Sequence, residues 1–284
     1  MRNTQRGSQS TMEQMLTHAR YEVLPTARIV EQVVQGVPKD VQITVTASAA
    51  KGLELTLTTA ETLRAEGYDV VPHLAARMVH GKSELAEIVA RLTGIGVHAV
   101  FVPGGDAEAD ETYPDALALL EDLAAMGQPF DQVGIAGYPE SHPTIHDDVT
   151  IQSMWDKRKY ATHVVSNLTF DPAIIKRWVH RMRERGITMP LLIGMPGPID
   201  RAKLLSMATK IGVGESTKFL VKQKGVMARL TAPGGFTGER FLTKCLPTIS
   251  EPGSLIEGLH IYTFNQVAET EAWRQRLLGE HAGV

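Results

Sequence analysis

The chain has 284 residues, 43% of them hydrophobic, and a formal net charge of −3. That is enough for one large domain or two small ones, and a nearly balanced charge with no long basic run argues against nucleic acid as a partner. The single cysteine, Cys245, excludes an intrachain disulfide or a thiolate metal cluster and suits a reducing cytoplasm, and no apolar run nears the roughly 20 residues that span a bilayer. The start, MRNTQRGSQSTM, lacks the apolar core of a secretory signal. Residues 1–18 are therefore expected to form a polar, mobile arm ahead of one domain over 19–284. The expectation is a cytoplasmic protein with no membrane contact and no obligate protein partner.

Short apolar runs alternate with longer amphipathic ones along the rest of the chain. YEVL (21–24) precedes a helical pattern over 27–34, QITVT (42–46) precedes 56–67, which Gly67 stops, and DVVPHL (69–74) precedes 82–96, with Ser83 as candidate N-cap. HAVFV (98–102) leads to 112–127, and QVGIAG (132–137) to 147–160. HVVSNLTF (163–170) leads to 171–186, where Asp171 caps and Pro172 takes the first helical position. PLLIG (190–194) leads to 199–212, and GLHIYTF (258–264) to 266–279. Eight strand-then-helix units with apolar strands predict a parallel sheet closed into a (β/α)8 barrel, with a doubly wound sheet as the alternative. No GxGxxG follows the first strand, which weakens that alternative. The surplus over 213–257 holds two further helix-like stretches, STKFLVKQKGVMARL and GERFLTKCL.

Such a barrel carries its active site at the C-terminal strand ends. Those ends hold Glu22, Thr46, His73, Gly104-Gly105-Asp106, Tyr138 to His142, Asn167, Gly194 to Gly197, and Tyr262 to Gln266. Polar groups recur there while strand interiors stay apolar, the pattern of an enzyme. Glu22 lies inside YEVLP, and a carboxylate amid an apolar strand must be paired, protonated or functional. It is read as a general acid or as the partner of a structural cation. FVPGGD (101–106) ends a strand in two glycines and an acid, which admits a ligand near the backbone or marks an ordinary turn. His73 is read as a site residue or as a histidine satisfied by a neighbouring carbonyl. His142 and His146 with Asp147 and Asp148 raise a metal site, but Pro143 intervenes and the aspartates read as an N-cap, so no metal is expected. Lys218, Lys222, Lys224 and Arg229 read as a solvated helix face, or as a surface for an anionic ligand tail.

Taken together, YEVLPT (21–26), ITVTAS (43–48), VVPHLAAR (70–77), VFVPGGD (100–106), GIAGYPESHP (134–143), NLTFD (167–171) and GLHIYTFNQ (258–266) resemble the methylenetetrahydrofolate reductase family, in its order and over nearly the whole chain. AGYPESHP and HIYTFN are the specific pieces. The resemblance implies a (β/α)8 barrel that transfers hydride to 5,10-methylenetetrahydrofolate. It implies Glu22 as the acid that opens the imidazolidine ring and Asp106 as the acid that stabilises the iminium cation. Thr46, His73, Gly104, Gly105, Tyr138 and His142 take the cofactor-binding positions. Asn167, Met207, Tyr262 and Gln266 take the folate-binding ones.

The departures point to one branch. Gly104-Gly105-Asp106 stands where the flavoproteins usually have Arg-Gly-Asp, Ser166-Asn167-Leu168 where they have Thr-Gln-Phe, and Gln266 where a basic residue is usual. Tyr160-Ala161-Thr162 is shorter than the family's alanine-glycine-rich turn. The chain therefore resembles the actinobacterial, flavin-independent branch, in which NADH passes hydride directly to the folate and FAD is absent. The rivals are an FAD-dependent reductase of the same family, a barrel lyase or aldolase, and a non-catalytic folate-binding protein.

Overall fold

Alternation along a single strand sets up the architecture. In β1 (Arg20–Val23), Tyr21 faces the outer helices and Glu22 faces inward, as period-2 geometry requires. A computed structural model of the chain describes residues 2–108, 111–140, 142, 145–198 and 237–282. Before β1 lies α1 (Arg2–Thr17), and after it follow α2 (Ile29–Gly36), β2 (Ile43–Val45), α3 (Leu53–Ala65), β3 (Val70–Pro72), α4 (Lys82–Gly94) and β4 (Ala99–Phe101). Next come α5 (Ala116–Ala125), β5 (Gln132–Gly137), α6 (Asp147–Lys157), β6 (His163–Ser166), α7 (Pro172–Glu184) and β7 (Leu191–Pro196). The last elements are α8 (Gly238–Ile249), β8 (Ile256–Tyr262) and α9 (Val267–Ala282).

All pairings are parallel, in the order β3-β2-β1-β8-β7-β6-β5-β4. The free edges meet through a bridge between His73 and Phe101, and Leu74 N donates to Phe101 O at 2.8 Å. That join closes the sheet, and the fold is the expected (β/α)8 barrel. Closure leaves no exposed edge and points every strand's C-terminal end at one mouth.

Several local expectations are corrected. Where a polar, mobile arm is expected over 1–18, Arg2–Thr17 forms helix α1, with Met12, Met15 and Leu16 buried. MEQML spaces its apolar residues at helical intervals, so one face of the last turns packs on α8, α9 and β8. Ser83 does not cap α4. Gly81 holds the N-cap position, and the Glu84 carboxylate accepts from His80 N. At α6 the cap is His146, whose Nδ1 accepts from Asp148 N at 3.3 Å. Asp147 and Asp148 lie in the first turn and pair with Arg181 and Arg185 at 3.1 and 2.8 Å. Asp171 does cap α7, accepting from Ala173 N at 2.9 Å with Pro172 in the first turn. GERFLTKCL forms most of α8. The expected helix over 199–212, Met207, and the basic stretch with Lys218, Lys222, Lys224 and Arg229 lie outside the described residues. No described helix is long and apolar enough to cross a membrane.

Between sheet and helices, a buried charge is fully paired. Tyr21 Oη donates to Glu271 Oε2 at 2.7 Å, and Arg274 donates to the same carboxylate at 2.9 and 3.0 Å. Arg274 Nη1 also donates to Leu16 O at 3.3 Å, which ties α1 to α9. A desolvated ion pair needs such full hydrogen bonding to hold its place.

Candidate active site

Glu22 is the inward residue nearer the C-terminal end of β1 and sits in register with Tyr262 on β8. Its Oε2 lies 2.9 Å from His260 Nε2 and 3.8 Å from His73 Nε2. Both imidazoles are buried, at 2% and 7% exposure. Burial above all holds the His73 pKa down at about 4, against the pull of the Glu22 charge. His73 is therefore neutral near pH 7, and its ring leans on Phe101 with centroids 4.6 Å apart. Four buried polar atoms on or directly after β2, β3 and β8 lack a hydrogen-bond partner: Thr44 Oγ1, Thr46 Oγ1, His73 Nε2 and His260 Nδ1. Unsatisfied groups of this kind are costly and concentrate at functional sites.

Tyr262 stands beside the acid. Its hydroxyl donates to Ser166 O at 3.3 Å, and its ring meets His260 edge-on at 4.9 Å. Burial first, and then the nearby Glu22 and Tyr138, push its pKa well above the usual phenol value. Tyr138 is raised for the same first reason, with the charge of Asp106 adding to it. Glu22 and Tyr138 thus act on Tyr262, and Asp106 acts on Tyr138. Asp106 itself is exposed on the loop after β4. The preceding turn is pinned by Ala76 N to Pro103 O at 2.9 Å and Arg77 N to Gly104 O at 3.0 Å. Gly105 has φ +88°, and a Cβ there would come within 3.0 Å of Ala75 Cβ, whereas Gly104 faces open space.

The remaining candidates divide. Thr46 directly follows β2 with its amide on Val23 O and its hydroxyl unpartnered. Tyr138 and His142 form an edge-on pair at 4.9 Å, and His142 Nδ1 accepts from Ile145 N at 3.2 Å. Glu140 is a clamp between loops, accepting from Thr169 Oγ1 at 2.8 Å and Phe170 N at 3.2 Å. Asn167 spends its Oδ1 on Leu168 N at 2.8 Å. Gln266 begins the turn into α9, its amide on Thr263 O. His73, directly after β3, is buried between Glu22 and Phe101. Among the described residues, no group of three or more His, Cys, Asp or Glu side chains is placed to hold a metal.

His260 lies outside the strand-end residues that the sequence singles out, whereas Thr263 and Asn265 fall inside Tyr262 to Gln266. His260 shares the inward face of β8 with Tyr262, two positions on, and that alternation was the available signal. Thr263 Oγ1 donates to Glu22 O at 2.6 Å. Asn265 exchanges hydrogen bonds with Leu24, its Oδ1 accepting at 2.8 Å and its Nδ2 donating at 3.0 Å, from a left-handed backbone at φ +59°. Asparagine tolerates that region better than most residues. The end of HIYTFN thus holds the end of β1, and with it Glu22.

A closed barrel with a part-buried carboxylate–imidazole pair and a second carboxylate at its C-terminal mouth has the layout of a barrel enzyme. The methylenetetrahydrofolate reductase family profile matches residues 22–277. The chain belongs to that family, which makes it an oxidoreductase of folate one-carbon chemistry. Among solved structures, dihydropteroate synthase from Thermus thermophilus, crystallised with 6HMPPP, is similar at 12% identity over 94% of this chain and 93% of that one, with a TM-score of 0.46.

Proposed function

We propose that the chain reduces 5,10-methylenetetrahydrofolate to 5-methyltetrahydrofolate with hydride taken directly from NADH. The observation that carries the reading is Glu22, an acid in the barrel wall at the mouth, held by His260 at 2.9 Å. The substrate must open at N10 to a 5-iminium cation before it can accept hydride, and Glu22 supplies the proton for that opening. Asp106 supplies a fixed negative charge to the cation. Tyr262 walls the site, and Asn167, its Oδ1 taken by Leu168 N, offers Nδ2 to the pterin edge. Reduced nicotinamide enters as the second substrate and must come within about 3–3.5 Å of the methylene carbon.

The positions that resemblance assigns to FAD fit a flavin poorly here. His73 is 7% exposed, its ring packed on Phe101. Arg77, the cation beside the Gly104-Gly105 turn, donates through Nε to Pro114 O at 2.8 Å. Thr46 and Gly104 keep an unpartnered hydroxyl and an open backbone edge, which suit a ligand without demanding a flavin.

Glu22→Gln should lose most turnover, by about a hundredfold or more, while equilibrium binding of folate is kept. Turnover near that of the wild type would remove Glu22 from the acid role. The deciding assay is anaerobic, on spectrally characterised protein, with NADH, NADPH or reduced flavin against methylenetetrahydrofolate. NADH oxidation by colourless protein supports direct transfer. Flavin absorbance released on denaturation overturns it in favour of an FAD enzyme.

A further inference from the structure

A carboxylic acid donates from whichever oxygen carries its proton, so an acid catalyst on a barrel strand must have its two oxygens told apart. In Glu22 they are. Oε2 faces His260 Nε2 at 2.9 Å, whereas His73 Nε2, at 3.8 Å, is beyond hydrogen-bond reach. No described residue bonds Oε1. The imidazole is fixed on several sides. Its strand pairs with β1 at Arg20 and with β7 at Gly194, its ring abuts Tyr262, and it is 2% exposed.

The tautomer follows from the surroundings, since His260 Nδ1 is buried without a partner. A hydrogen there would be a buried, unsatisfied N–H and would leave the Nε2 lone pair facing the carboxylate. A hydrogen on Nε2 satisfies both groups and leaves only a bare acceptor at Nδ1.

We propose that His260 is the positioning residue of the proton donor: its Nε2–H occupies Oε2, confines the transferable proton of Glu22 to Oε1, and stabilises the carboxylate left after transfer. This rests on the reading of Glu22 as general acid. It makes no demand on the hydride donor, so it holds for NADH or flavin alike.

The test compares three substitutions on the full chain. The side-chain nitrogen of glutamine sits where Nε2 does, that of asparagine sits where Nδ1 does, and leucine offers neither. His260→Leu should lower kcat about tenfold or more, because a displaced catalytic group is penalised steeply, with the folate KM within about twofold of wild type. His260→Gln should restore kcat to within about threefold, and His260→Asn should not. Unchanged kcat in the Leu variant, equal recovery by Asn and Gln, or a loss confined to KM would overturn the proposal. Should the Leu variant fail to fold, the Gln and Asn pair decides. If wild-type protein reduces no methylenetetrahydrofolate with any reductant, the functional reading is what has failed. Positioning is then read from melting temperatures: His260→Leu should cost less in a Glu22→Gln background than in wild type, and additive losses would refute the pairing.

Discussion

Asp106 and Glu22 are both carboxylates at strand ends, yet their surroundings differ. Glu22 is enclosed and bonded to an imidazole. Asp106 is exposed on the loop after β4 and has no hydrogen bond or ion pair among the described residues, while its charge still reaches Tyr138. An unpaired charge on a pinned turn costs little while the mouth is wet and acts strongly once a ligand excludes water. On the proposed reading, with NADH as hydride donor, Asp106→Asn should slow single-turnover NADH oxidation by about tenfold or more and shift the NADH Kd by less than about threefold. The reverse outcome would make Asp106 a nucleotide ligand. At this scale the sequence was informative about which acids to suspect, because an acid inside an apolar run is anomalous by itself. It was silent on His260, which reads as one more residue of an apolar strand until β8 is laid beside β1.

Among the elements, β7 shows what closure demands of a strand. A Cβ at Gly194 would come within 2.0 Å of Ser166 O and 2.9 Å of the Tyr262 ring. The backbone oxygen cannot yield without breaking the wall that Tyr262 completes. Gly194→Ala should lower unfolding free energy by about 3 kcal/mol or more, or abolish folding, as overpacking against fixed backbone does. Gly104→Ala, facing open space at ordinary φ, should stay within about 0.5 kcal/mol of wild type. Urea denaturation of the two variants checks both. Element order and type were legible because apolar periodicity is local. Caps were less so: Ser83 and Asp147 had the right chemistry, but Gly81 and His146 took the positions. N-cap choice depends on where the preceding loop releases the chain. The N-terminal helix was missed because its first ten residues are polar, and its few apolar residues matter only once α8, α9 and β8 are there to cover them.

Across the whole molecule, the barrel interior is polar at its floor. Arg20 donates from Nη2 to Gln132 Oε1 at 2.9 Å and approaches His163 Nε2 at 3.0 Å, while His163 Nδ1 meets Thr162 Oγ1 at 2.9 Å. Burial, with the Arg20 charge behind it, holds the His163 pKa down at about 3, and burial holds His73 at about 4. Both lie below the unfolded histidine value of roughly 6.5. The unfolded chain therefore binds more protons than the folded one once pH falls below about 6.5, and stability drops with pH through that window towards about 4. Each buried ring contributes on the order of 2 kcal/mol to that loss. A variant with His163→Gln, whose carbonyl can still accept from Arg20, should lose less melting temperature between pH 6.5 and 4.5 than wild type does. An equal loss would assign the acid sensitivity to the carboxylates instead.

By itself the sequence determined the parallel strands, their number and order, the mouth at their C-terminal ends, and the family, because period, turn chemistry and strand-end residues are written within a few positions of one another. Tertiary structure alone decided that Glu22 meets His260 rather than His73, that His73 is buried against Phe101, and that Asn265 secures β1. These contacts join residues as far apart as 241 positions in the chain. Only closing the sheet, with β8 laid beside β1, sets the distance between them.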